Sequence, residues 1–343
     1  MDFLPTLWFV LIAFLWIGYL LLDGFDLGVG MHMLVSTRSE KERRLLLNTI
    51  GPVWDGNEVW LITAGAATFA AFPVWYATLF SGLYLPLVIV LLALIVRAVS
   101  IEYRGKAATE RGRRVWHVLL GAGSFGAAFG IGAMLAITTT GLPIDENAIR
   151  VGGAFAWFSL ESVIGGLAVV GFCFVHGATF LALKTDGDIR YRMRRIIRLS
   201  APVALLPIVV WVLIVVADGS SLTAYGLVGV AASGAVIGWI ANRAGREGWA
   251  FTGFSVLLTA GASAIFLAAY PVVLPSSIDA AYDLTIQNAS SSDYTLGVMT
   301  VVAAIGIPVL LVYQGWSYWV FRKRLTAAAI PDAQPVVPAV KRP

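Results

Sequence analysis

The chain has 343 residues, of which 59% are hydrophobic and only 13% charged, with 24 Lys and Arg against 20 Asp and Glu. Ordinary soluble domains carry about 25% charged residues, and here the apolar runs recur along almost the whole length, so a soluble enzyme, a disordered chain and a nucleic-acid binder are all disfavoured. The single cysteine, Cys173, excludes an intrachain disulfide framework and any cluster built from several thiolates.

Stretches of about 20 predominantly apolar residues predict nine membrane-spanning helices, at about 6–34, 57–77, 79–97, 116–138, 154–183, 199–217, 223–241, 250–271 and 295–320. The first begins close to Met1 and continues through Leu20, Leu21 and Leu22 without a small-residue cleavage site, as expected of a retained helix. Between the first two spans, Glu40, Lys41, Glu42, Arg43 and Arg44 precede Leu45, Leu46 and Leu47, which predicts a short amphipathic helix at the membrane surface. The longest outer gap, between the last two spans, holds Asp279, Asp283 and Asp293 and no basic residue. Residues 1–325 are expected to form one integral membrane domain, and the proline-rich residues 326–343 a disordered tail.

Lys and Arg accumulate in cytoplasmic loops. With the nine spans above, 23 of the 24 basic residues fall in alternate gaps or the tail, and Arg150 alone lies opposite. The expected topology therefore has the N-terminus outside and the C-terminus in the cytoplasm. The positive excess is a topology signal.

Ionisable groups are costly inside a membrane, roughly 2.5 to 3.5 kcal/mol for an Asp at the centre of a helix. The first span places Asp23 and Asp26 at membrane depth, on one face with Trp16, Tyr19 and Gly30. Two readings stand: a proton-handling site, or polar glue between helices helped by the small pair Gly24 and Gly28. A second group, Asp55 and Glu58, lies at the cytoplasmic mouth of the second span, where helix capping competes with a proton role. His32, His117 and His176 all fall toward the cytoplasmic half, but no two share a helix at ligand spacing, so haem ligation by this chain is disfavoured. Glu161 and His176 share a face about four turns apart, as candidates for a polar seam. Trp residues near span ends, among them Trp8, Trp54, Trp75, Trp116, Trp249, Trp316 and Trp319, fit an interfacial belt. No phosphate-binding loop, metal-ligand spacing or nucleophile elbow is present.

Several blocks occur in an order that resembles the second, smaller subunit of cytochrome bd-type quinol oxidases. They are Asp23-Gly24-Phe25-Asp26-Leu27-Gly28-Val29-Gly30, the run from Gly51-Pro52-Val53-Trp54-Asp55-Gly56-Asn57-Glu58 to Gly65, Phe80-Ser81-Gly82-Leu83-Tyr84, Tyr270-Pro271 to Ser277, and Thr295 to Thr300. The resemblance implies an all-α fold of two four-helix bundles plus one additional helix. It further implies a larger partner, subunit I, that carries two haems b and one haem d, oxidises quinol and reduces dioxygen to water. This chain would be the haem-free subunit in the bacterial cell membrane, among membrane lipid and quinone, with room for small accessory subunits and no nucleic-acid partner. By the same resemblance Asp55 and Asp26 are proton-relay candidates on the way from the cytoplasm, and Asp23 a less certain third. Relatives often have Gln where Glu58 stands, so no role is carried onto it. Some relatives hold a structural quinone in this subunit, and no motif here marks a place for one.

Overall fold

The computed structural model describes residues 3–217 and 221–330; the expected disordered tail lies largely outside them. Twelve α-helices dominate: α1 (Phe3–Ser36), α2 (Glu40–Ile50), α3 (Trp54–Ala71), α4 (Pro73–Gly82), α5 (Tyr84–Tyr103), α6 (Glu110–Thr140), α7 (Leu160–Lys184), α8 (Asp188–Ala204), α9 (Leu206–Val216), α10 (Leu222–Arg243), α11 (Glu247–Ala269) and α12 (Asp293–Val320). A small antiparallel pair, β1 (Val272–Leu274) and β2 (Leu284–Thr285), lies in the loop before α12.

Among the described residues eight stretches are long and apolar enough to cross a membrane, α8 and α9 together forming one of them. The chain is a multi-pass membrane protein. The remaining expected span corresponds to α3, whose 18 residues open on Trp-Asp-Gly-Asn-Glu. Where one helix was expected over 57–77, the chain turns at Phe72, and Pro73 opens the separate helix α4. A proline at the first helical position suits a new start and disfavours helix in the residue before it. The same logic divides the span expected over 199–217, where Pro207 follows the break at Leu205. The span expected from residue 154 begins instead at Leu160, because Ser159 and Ser162 form a reciprocal capping box there.

The amphipathic helix expected after the first span is α2. The Ser39 hydroxyl caps it by accepting from the Glu42 amide at 3.2 Å, and Leu45 and Leu46 face inward.

Helix α1 is central, packing against α3, α6, α7, α11 and α12. One layer contains α1, α3, α5 and α6. A second contains α7, the α8–α9 pair, α10 and α11, joined to the first mainly along α1, α6 and α7. At the α1–α7 crossing the backbones touch: a Cβ built on Gly28 would lie 2.0 Å from the carbonyl oxygen of Cys173, and one on Gly177 would lie 2.6 Å from Gly28. Small residues permit such an approach, and dispersion between the closely packed surfaces then holds the pair. Gly24 contributes less, with only ordinary contact to Phe172. Helix α12 is peripheral, with 6% of its most apolar window buried.

The tryptophans divide. Trp249, Trp316 and Trp319 are exposed as an interfacial belt requires, whereas Trp8 and Trp75 are buried. The Trp8 indole donates to Leu296 O and Thr300 Oγ1, at 3.2 and 3.0 Å, and so ties α1 to α12.

Candidate functional site: a buried carboxylate network

The two carboxylates of α1 are fully buried. Their helix is central, so their positions in the apolar run place them against other helices and away from lipid. Asp23 Oδ1 accepts from Arg97 Nη2 at 2.8 Å, and both side chains are inaccessible to solvent. Arg97 Nη1 reaches Glu58 Oε2 at 3.1 Å, and Glu58 is 18% exposed, so this ion pair runs from the helix core to a partly open position. Asp26 Oδ2 accepts from Asn57 Nδ2 at 2.6 Å. Asn57 Oδ1 in turn accepts from Gln314 Nε2 and from the Tyr318 hydroxyl, both at 2.8 Å.

Four helices therefore meet at one polar knot, with α1 supplying Asp23 and Asp26, α3 Asn57 and Glu58, α5 Arg97, and α12 Gln314 and Tyr318. Among the described residues Asp26 Oδ1 has no hydrogen-bond partner, and the Tyr19 hydroxyl, one turn before Asp23, lies beside the Asp23 carboxyl. A buried oxygen without a partner costs about 1 to 3 kcal/mol unless a proton or a water serves it. Three carboxyl groups face a single guanidinium. Arg97 pairs with Asp23 and Glu58, so Asp26 is the carboxyl without a cation at hydrogen-bond distance among the described residues.

Of the three relay candidates, the structure joins Asp23 and Asp26 to this knot and leaves Asp55 exposed in the first turn of α3. Among the described residues no hydrogen bond or ion pair links Asp55 to the network; Glu58, one turn further on, makes that link. Sequence reasoning missed Arg97, Asn57, Gln314 and Tyr318. Arg97, counted above as a loop cation, is a fully buried residue inside α5.

Two of the three histidines are hydrogen-bonded, while Nδ1 of His117 and Nδ1 of His176 have no hydrogen-bond partner among the described residues. His32 donates from Nε2 to Phe174 O at 2.8 Å and therefore accepts at Nδ1 from Ser36 Oγ, at 2.9 Å, so neither nitrogen is free for iron. His176 bonds Leu21 O at 3.2 Å and stacks between the rings of Phe172 and Phe251. Among the described residues no group of three His, Cys, Asp or Glu could hold a metal ion. Glu161 and His176 are not joined: Glu161 lies in the first turn of α7, far from the buried histidine ring.

Residues 4–321 match the protein family described as cytochrome bd terminal oxidase subunit II. The chain belongs to that family. It is 39% identical over 333 residues to the cytochrome bd ubiquinol oxidase subunit 2 of Bacillus subtilis strain 168, covering 95% of this chain and 98% of the relative. It is 34% identical over 372 residues to the cytochrome bd-I ubiquinol oxidase subunit 2 of Escherichia coli K12, covering 95% and 96%. The fold superposes with a TM-score of 0.76 on a chain of the bd oxidase from Geobacillus thermodenitrificans, at 18% identity and over 93% of this chain and 99% of that one. Family membership makes the chain a subunit of a membrane-bound oxidoreductase complex, a bd-type quinol oxidase of respiratory electron transport, in the bacterial plasma membrane. A haem-containing complex and a partner subunit I follow from the same membership.

Proposed function

We propose that the chain is the haem-free second subunit of the oxidase, that it stabilises subunit I, and that it carries part of the proton path from the cytoplasm. The observation that supports this most directly is the line of contacts from the partly exposed Glu58 through Arg97 to the sealed Asp23, with Asp26 one turn along the same helix. Two haems b and one haem d in subunit I supply the electron transfer from quinol and the reduction of dioxygen. Nine spans place the N-terminus outside and the basic ends of the helices in the cytoplasm, the side from which protons are drawn.

Within this chain each residue has a separate task. Asp55, exposed at the start of α3, collects protons at the mouth. Glu58 holds one beside Arg97. Arg97 balances the charge of Asp23, and neighbouring Asp26, which has no cation at hydrogen-bond distance among the described residues, carries the proton. Asn57 orients the Asp26 carboxyl by binding Oδ2, which leaves Oδ1 as the atom that takes and gives the proton. Intramembrane carboxylates held in this way are the usual elements of proton relays.

The test is Asp26→Asn in the complex purified with its partner. Misplacing a single proton-transfer group costs roughly 100-fold or more in a step that depends on it, so quinol-driven oxygen uptake per assembled complex should fall at least tenfold. Asp55→Asn should slow uptake less, because other solvent groups can feed Glu58. Full turnover in an assembled Asp26→Asn complex would remove the proton role.

A further inference from the structure

A second site lies beyond the carboxylate network. Between α1, α7, α11 and the end of α12 is a cavity of about 590 Å³, within the usual range for a small-molecule pocket. Its depth is aromatic and aliphatic, walled by Phe25, Phe180 and Phe251, while its mouth is formed by Lys184, Arg322 and Arg324. The Tyr318 ring forms another wall, but its hydroxyl is already committed to Asn57.

The charges at the mouth do not balance. Lys184 donates to the carbonyl oxygens of Phe321 and Lys323, so its ammonium has hydrogen bonds but, among the described residues, no counter-charge. Arg322 rests 4.3 Å from the Trp319 ring centroid and donates to the Trp319 carbonyl. Arg324 shares Glu247 with Arg190 and Arg194, and Arg190 also takes Asp186. Three cations thus line an opening that leads into a greasy pocket, and among the described residues only Arg324 of the three pairs with a carboxylate, one it shares with Arg190 and Arg194. A neutral occupant would leave that excess uncompensated, whereas a phosphate at the mouth with an acyl chain inside satisfies both halves. Basic pockets between membrane helices on the cytoplasmic side are where anionic lipid headgroups bind.

We infer that this cavity is a binding site for an anionic phospholipid, its phosphate held by Lys184 and Arg322 and one acyl chain lying between Phe25, Phe180 and Phe251. The lipid would wedge the end of α12 against α7 and α11, a contact that the protein alone makes sparingly.

The experiment uses the complete complex in nanodiscs doped with phosphatidylglycerol or phosphatidylcholine bearing the same photoactivatable acyl chain, with the labelled peptides mapped by mass spectrometry. Phosphatidylglycerol should label the α7 and α11 peptides containing Phe180 and Phe251 well above phosphatidylcholine. Removing one cation should lower that labelling roughly fivefold, the equivalent of about 1 kcal/mol for each basic group near a lipid phosphate. Lys184→Gln and Arg322→Gln are the variants, and Arg322→Lys should restore labelling, which separates lost charge from lost folding. Equal labelling by the two lipids, labelling unchanged in Arg322→Gln, displacement by a neutral quinone as effective as by phosphatidylglycerol, or no label in these peptides because polypeptide fills the groove, would each overturn the assignment.

Discussion

Replacing Asp23 by Asn removes the carboxylate that faces Arg97 at 2.8 Å, where both side chains are fully buried. Leaving one member of a buried ion pair without its partner costs about 3 to 5 kcal/mol. Arg97 retains Glu58 at 3.1 Å, and Glu58 is 18% exposed, so the guanidinium keeps a partner that water screens. The loss should therefore sit at the lower end, about 3 kcal/mol, or roughly 150-fold in the folding equilibrium, at tenfold for each 1.4 kcal/mol. Sodium dodecyl sulfate titration in mixed micelles, followed by helical circular dichroism, reads this as an earlier midpoint. The double variant Asp23→Asn, Arg97→Gln removes both charges, and neutral replacements of a buried pair are commonly tolerated. It should recover at least half of the loss, which appears as non-additivity in the double-mutant cycle. Strict additivity of the two single changes would refute the ion pair as the organising contact of the knot.

Two further outcomes follow from neighbouring contacts. Asn57→Leu removes the acceptor for Gln314 and Tyr318 and the donor to Asp26, so α12 should loosen while α1 and α7 stay packed; hydrogen exchange should quicken in α12 alone, and unchanged protection there would contradict its tether. At the surface, Arg192 grips Glu42 through two hydrogen bonds of 2.8 and 2.9 Å, which hold the Glu42 carboxyl below the usual carboxylate range. A depressed carboxyl stabilises the fold above the unfolded value of about 4.3 and loses that contribution as the pH falls through the lowered native value. A spin label on exposed Asn48 should thus stay immobile at neutral pH and gain mobility only in acid below that value, and in Glu42→Gln it should be mobile at neutral pH as well.

The carboxylates of the site were legible because an Asp in an apolar run is conspicuous and expensive. Their partners were not. Arg97 lies at the edge of an apolar run, where a cation is ordinarily a topology marker, and only the packing of α5 shows that it turns inward. Asn57, Gln314 and Tyr318 carry no charge, so they add little to the cost of a span, and Gln314 is 257 residues away from the Asn57 it binds. Helix identities followed from apolar length, whereas the break at Phe72 depends on a proline that a hydropathy window averages away. Glu58 illustrates a different limit: a likeness to relatives with Gln there says nothing of an ion pair that Arg97 makes available in this fold.

The crossing of α1 and α7 acts as a keyed joint. Gly28 and Gly177 leave no room for even one methyl group between the backbones, so α1 cannot slide by a residue, a movement of about 1.5 Å with a 100° turn, without driving a side chain into its neighbour. Asp26 lies two positions from that lock. Its depth and bearing are thereby set like the index mark on an instrument, and traffic through the site has to be carried by rotating side chains and passing water, while the helices that frame it stand still.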